Sequence, residues 1–253
     1  MAMTQMLMAG AESGEAVDSD GYPTLNMIFK VDPGNSSSYS SGNTGVNDIS
    51  GGTAYNGHLM NDQNATYGGP TWGSGNGGHW SLDGNDDWIR FDSLSSALHN
   101  GNDKTFLFWG NCTWRNQSGR GDVMWSSHQG TSNTLRWQAM TNQVFVSDMN
   151  TTGDIFHAHQ NLGNEWHMWV MTVDSSGGAG SIVNWVDNVK NSNTGTFGQW
   201  NSNTDRVNIG QEWDSTPSEF YRGQIGAILL WDRILPDGTI NNIWSSTKSR
   251  YGR

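Results

Sequence analysis

Cysteine is nearly absent from this chain: Cys112 is the one cysteine in 253 residues, so no intrachain disulfide can form. A chain without disulfides suits folding in a reducing compartment. Lysine is almost as scarce, with four residues, and the formal net charge is −11. No Lys/Arg cluster stands out, so a nucleic-acid partner, which needs phosphate neutralisation, is not expected. Adhesion to anionic lipid is disfavoured for the same reason. The longest apolar run, Ala227 to Trp231, is too short to cross a bilayer, and no membrane insertion is expected. The opening M-A-M-T-Q-M-L-M-A-G lacks the charged start and long apolar core of a signal peptide. The expectation is synthesis in a cytoplasm without Sec export, and the five N-x-S/T sequons then read as chance in an Asn-rich chain.

What is abundant is glycine, 33 residues, and tryptophan, 14 residues, in a chain only 34% hydrophobic. Glycine and asparagine supply turns, and tryptophan supplies core bulk. Period-two alternation marks strands at Trp80–Leu82, Trp88–Phe91, Lys104–Trp114, Asp122–Ser127, Thr134–Ala139 and Gln143–Asp148. It returns in W-H-M-W-V-M-T-V-D (Trp166 to Asp174), I-V-N-W-V-D-N (Ile182 to Asn188), R-V-N-I-G (Arg206 to Gly210) and the run from Phe220 to Trp231. Only Ser93–Leu98 and Pro236–Trp244 have helical character; Ile240 and Trp244 share one helix face. Residues 1–21 form a Met/Ala/Gly/Asp-rich leader without strand periodicity, readable as a disordered terminus or as a small docking peptide. Residues 22–253 form one domain. Alternation puts Cys112 on the face of Phe106 and Phe108, as a small buried hydrophobe rather than a nucleophile.

Two sets of residues carry a family resemblance. The closing strand and bend, with Asp232, Arg233 and Leu235 followed by a helical turn from Ile240 to Trp244, resemble the end of laminin-G-like domains of the concanavalin A-like lectin/glucanase superfamily. The blocks Leu25–Tyr39, Asn47–Gly51, Asn56–Leu59 and Trp80–Phe91 are similar to a laminin-G-like variant of phage structural and tail proteins. The resemblance spans about Pro23 to Tyr251. It implies an all-β fold, an antiparallel two-sheet jelly-roll sandwich with a short C-terminal helical turn. It also implies a virion setting, with other virion proteins or further copies of the chain as partners.

The fold hosts enzymes, lectins and passive modules alike, so function has to be read from sites. Related glucanases use two glutamates on one strand face, as nucleophile and general acid. Of the five glutamates here, none forms their Glu-x-Asp-x-x-Glu pattern. Glu212 and Glu219 lie seven apart across a Pro-containing loop, where strand alternation alone does not bring them together. No catalytic residues are assigned. Asp83-Gly84-Asn85-Asp86-Asp87 offers Asp83, Asn85 and Asp87 in a D-x-N-x-D spacing that begins a calcium loop. The glycine and distal glutamate of such a loop are missing, and a tight hairpin is the favoured reading; a structural calcium is the one cofactor considered. Relatives carry an aspartate early in the closing strand, associated with structural calcium, where this chain has Gly226. His157 and His159 share a strand face but lack a third ligand nearby. Arg120-Gly121-Asp122 spells an integrin-type tripeptide and is read as a turn.

Tryptophan faces stack on pyranose rings, and Trp72, Trp200 and Trp213 lie in polar loop stretches where a surface glycan would reach them. Trp80, Trp166, Trp185 and Trp231 sit on alternating strands and belong to the core. The resemblance, with which the lack of enzyme motifs, disulfides and a signal peptide agrees, implies a non-enzymatic virion structural protein made in a host cytoplasm, a capsid decoration or tail appendage. The alternative is a glycan-binding lectin or host-adhesion module, and a β-glucan hydrolase ranks third. Trp166–Val173 is apolar on both faces, so its second face must be covered by the chain's own long loop, 33–78, or by a partner subunit.

Overall fold

The computed structural model describes residues 15–61, 66–113, 122–129, 132–140, 143–147, 155–158, 164–191, 194–198, 206–213 and 217–253. They form two antiparallel β-sheets packed face to face, with a C-terminal helix. The first sheet runs in the order Val189–Lys190, Gly178–Val186, Trp166–Val173, Lys104–Cys112, Arg222–Trp231, His79–Asp83 and Thr71–Gly73. Met27–Val31 pairs with Arg222–Trp231, and Gly195–Phe197 with Gly178–Val186, both off that path. The second sheet runs Ile155–Ala158, Gln143–Ser147, Ser132–Met140, Asp122–Gln129, Val207–Ile209, Asp87–Phe91, Gly57–Asn61 and Gly45–Val46, with Thr66–Tyr67 beside Gly57–Asn61. The antiparallel strands expected from the alternation, and the two-sheet sandwich that the resemblance implies, are the fold observed.

The main core lies between the sheets. Phe29, Phe106, Phe108, Trp125, Trp137, Ile209 and Ile228 are all fully buried there. Edge-to-face contacts join its rings, with Phe29 and Phe91 at 4.9 Å and Phe106 and Trp125 at 5.2 Å between centroids. Cys112 lies in this core beside the Phe106 and Phe108 face, and burial pushes its thiol pKa well up.

All eight residues of Trp166–Val173 are buried. Trp169, Met171 and Val173 enter the main core, whereas Trp166, Met168 and Val170 join a second cluster on the outer face. That outer cluster also holds Leu107, Trp109, Leu229 and Trp231 from the neighbouring strands. The helix Asp237–Thr247 covers it with Ile240 and Ile243, the short 3-10 turn Lys248–Tyr251 adds Tyr251, and the entry segment adds Tyr22 and Met27. The second face is thus covered, as the pattern requires, but by the chain's two ends. The loop 33–78 instead sends Tyr39 and Val46 into the main core.

The bend before the helix is stitched by one hydroxyl. Thr105 Oγ1 donates to the Arg233 carbonyl at 2.7 Å and accepts from the Leu235 amide at 2.9 Å. Asp232 caps the fully buried Lys104 ammonium at 2.7 Å and accepts from the amides of Asn100 and Asn102. The Asp-Arg-x-Leu block is therefore an anchor for the closing helix.

Residues 15–21 of the leader lie on the sandwich. Val17 bridges Pro23, Lys30 binds Asp18 at 2.8 Å together with Asp20, and Arg233 pairs with Glu15. Residues 1–14 lie outside the described residues. No described helix is long and apolar enough to cross a membrane.

Candidate ligand-binding surfaces

Trp72 lies on the edge strand Thr71–Gly73, opposite the fully buried Trp80. An edge strand leaves one side of its side chains without a neighbour, and Trp72 keeps 37% of its surface exposed. It is the one tryptophan among the described residues with a large exposed surface. Its indole N–H donates to the Pro33 carbonyl at 2.9 Å, which fixes the plane of the ring. The turn beside it is equally fixed. His79 Nδ1 meets the Gly75 carbonyl at 3.0 Å, and the Gly78 amide donates to Gly75 at 2.9 Å. Gly34 packs so closely on Gly77 and Gly78 that no side chain fits at Gly34 or Gly78, and one at Gly77 would meet the Arg250 side chain. Arg250 closes the arrangement, donating to the Gly77 carbonyl and, bidentately, to the buried Asp32 carboxylate. Trp200 lies outside the described residues. Trp213 pairs with Pro217 in a small hairpin, and its side chain is likewise outside them.

The Asp83–Asp87 segment is the tight turn that its Asx/Gly composition favours, with Gly84 at φ +74°. Asn85 donates its backbone N–H and its side-chain amide to Asp83, at 2.7 and 2.8 Å. Its side chain is thus spent on Asp83, and the carboxylates that gather are Asp83, Asp86 and Asp87, with oxygens within 4.8 Å of one another. Asp87 is buried, and burial together with the negative neighbours Asp83 and Asp86 raises its pKa to about 6. The Gly226 position, expected to lack a calcium ligand, is filled from the other side. A side chain there would meet the Tyr251 ring at 2.5 Å, and the Tyr251 hydroxyl accepts from the Ala227 amide at 3.0 Å.

The second sheet carries a polar row that no single strand reveals. His58 pairs with Arg90, Arg90 with Asn208, Asn208 with Ser126 and Ser126 with Arg136, so five residues from five strands share one face. One residue along, Leu59, Ile89, Ile209, Trp125 and Trp137 form the matching apolar row on the core face. Asn208 and Ser126 are buried, and Ser126 Oγ donates to the Gln211 carbonyl at 2.6 Å. The hairpin Glu212–Trp213/Pro217–Ser218 thus packs against the row.

That hairpin brings Glu212 and Glu219 together by a route other than strand alternation. Both converge on the Arg136 guanidinium, at 3.7 and 3.4 Å. Gln138 also donates to Glu219, and Ser218 Oγ donates to Glu212 at 2.8 Å. Alternation along one strand does not predict this, because the chain doubles back between them and Glu219 adopts φ +53°. Both carboxylates are held as acceptors by these donors. Beneath them, the Asn208 side-chain amide donates to Gln211 Oε1 at 3.3 Å, leaving Asn208 Oδ1 and Gln211 Nε2 buried without a partner.

Of the remaining motifs, Asp122 is buried at the start of its strand and accepts from the Arg222 amide at 3.0 Å, so it is not presented as a loop-tip aspartate. Arg120, Gly121 and His159 lie outside the described residues, as does the side chain of His157.

No protein family described from sequence and no curated protein matches this chain. Solved structures do match. The receptor-binding domain of botulinum neurotoxin type G aligns over 87% of this chain and 51% of its own length, with 13% identity and a TM-score of 0.60. Domain 4 of AbnA, an extracellular arabinanase of Geobacillus stearothermophilus solved in complex with arabinotriose, aligns over 86% of this chain and 98% of its own length, at 11% identity and TM-score 0.59. The Trypanosoma rangeli sialidase aligns over 91% of this chain and 34% of its own length, at 11% identity and TM-score 0.63. The chain spans about half the length of the toxin domains it matches. At such identities the likeness is one of fold, a jelly-roll-like β-sandwich.

Proposed function

We propose that this chain is a non-catalytic glycan-recognition module that stacks a sugar ring on Trp72. The observation that carries the reading is the state of that indole: open to solvent on an edge strand, yet pinned by its bond to Pro33 and backed by a turn of locked glycines. A preformed aromatic platform loses little freedom on binding. The adjoining loop offers Asn76, exposed at φ +50°, as a hydrogen-bonding neighbour. Fold neighbours support the same reading, since the arabinanase domain was solved with arabinotriose and a toxin binding domain with SialylT. The engaged state of Glu212 and Glu219 supports the absence of glycoside hydrolysis. The resemblance of the blocks Leu25–Tyr39 and Trp80–Phe91 to phage structural and tail proteins favours a virion setting, in which a decorating or appendage subunit displays the module to a host surface.

A glycan array followed by calorimetry tests it. Trp72→Ala should weaken binding by about tenfold or more while leaving the thermal transition within a few degrees. Undiminished affinity in Trp72→Ala sinks the platform, and an array on which nothing binds sinks the glycan reading altogether.

A further inference from the structure

The cations that stand behind the Trp72 platform are already matched by carboxylates. Pro33, whose carbonyl holds the indole, follows Asp32, and the buried Asp32 carboxylate takes both terminal nitrogens of Arg250. The same guanidinium donates to the Gly77 carbonyl at 2.8 Å, in the turn that backs the ring. Beyond Gly34, the Asn35 amide donates to Asp20, and Asp20 and Asp18 share the buried Lys30 ammonium. Burial alone would raise the Asp20 pKa, but its bonds from Lys30 and Asn35 and the nearby Arg250 charge bring it below the usual carboxylate value, so it stays ionised. Three carboxylates therefore stand against two cations, and the local balance is negative. Two cations outside these pairs serve other places, Arg222 opposite Asp83 and Lys248 over the Trp244 ring.

The polar groups presented at the rim are uncharged. Asn76 and Ser74 are both exposed on the turn after Trp72. An amide offers two donors and an acceptor, and a hydroxyl offers one donor and two lone pairs, which suits the adjacent hydroxyls of a sugar. A ligand carboxylate brought to the same rim would lose water with no unmatched cation to replace it, and would meet the field of Asp20. The formal charge of −11 opposes the approach of an acidic polymer in the same sense.

We propose that the ligand of the Trp72 platform is an uncharged sugar, and that its carboxylate-bearing counterparts are rejected. This rests on the reading of Trp72 as a sugar platform and adds the class of sugar it takes.

The test uses the full chain on an array of matched glycans: lactose with 3′-sialyllactose, and galactotriose with trigalacturonate, beside arabinotriose. The glycans whose binding is lost in Trp72→Ala should be the neutral ones, with each acidic counterpart bound at least about tenfold more weakly in calorimetry. Asp20→Asn, which leaves Asp18 to pair with Lys30, should narrow that gap by about two- to threefold. Acidic glycans bound as tightly as their neutral partners, and still lost in Trp72→Ala, overturn the proposal while the platform stands. A gap that Asp20→Asn leaves unchanged also overturns it, since the local carboxylates then do not set the selectivity. Binding indifferent to Trp72→Ala removes the platform, and this inference with it.

Discussion

The rings of Trp109 and Tyr251 stack 4.2 Å apart at 17° to parallel, joining the centre of the first sheet to the end of the chain. Trp244 also stacks on Trp109, at 5.6 Å, and Trp166 lies against Tyr251 at 5.0 Å. Lys248 and Arg250 stand over the Trp244 and Tyr251 rings. This ladder carries the cap that seals the sheet's outer face.

Removing the ring should therefore unseal it. Tyr251→Ala is expected to cost roughly 3–5 kcal/mol, as for other buried large aromatics, and Tyr251→Phe about 1 kcal/mol for the hydroxyl bonded to Ala227. Gly226→Ala, which drives a methyl into the same ring, should cost about 1–3 kcal/mol alone and much less in the Tyr251→Ala background. Urea melts of the four chains give the answer; strictly additive losses would mean that residue 226 does not press on the ring.

Asp32 has no exposed surface and binds Arg250 through both oxygens, a contact that raises the guanidinium pKa still further against the opposing effect of burial. Breaking one side of a buried pair strands the other charge, so Asp32→Asn should cost roughly 3–5 kcal/mol. Because Arg250 also holds the Gly77 carbonyl, the variant should lower glycan affinity too. A loss under about 1 kcal/mol in denaturant melts would show the pair to be screened by water.

Asp87 gives a pH signature of definite sign. Its folded pKa is raised to about 6 from 3.8, so the folded state prefers the protonated carboxyl. Stability from this group is full below about pH 4 and is lost as pH rises through about 6, by at most about 3 kcal/mol. Asp87→Asn should raise the melting temperature at pH 7 and flatten the profile between pH 4 and 6. Melting curves across that range that superimpose for the two chains would refute it.

The strands and the core were legible because runs such as Trp166–Val173 and Arg222–Trp231 are rich in aromatic and branched residues and bounded by Gly, Asn and Asp turns, and their two apolar faces announced burial on both sides. The identity of the cover was not. The closing helix shows only Ile240, Ile243 and Trp244 as apolar groups, too narrow a stripe to announce that it seals a sheet. The polar row from His58 to Arg136 draws one residue from each of five strands, and it exists only once the register is known. Glu212 and Glu219 meet through a reversal between them, which periodicity does not encode. Trp72 was readable because a tryptophan among Gly, Ser and Thr has no apolar neighbours to bury it.

Gly21 packs against Ser246, so the entry segment and the closing helix touch one another on the outer face of a single sheet. A tensile load applied between residues 15 and 253 would meet that seam first and open it like a zip, one aromatic ring at a time. The hydrogen-bonded ladders behind it would bear none of the early force. The expected mechanical behaviour is that of a soft clasp on a stiffer body, with the seam between Gly21 and Ser246 yielding before the sheets.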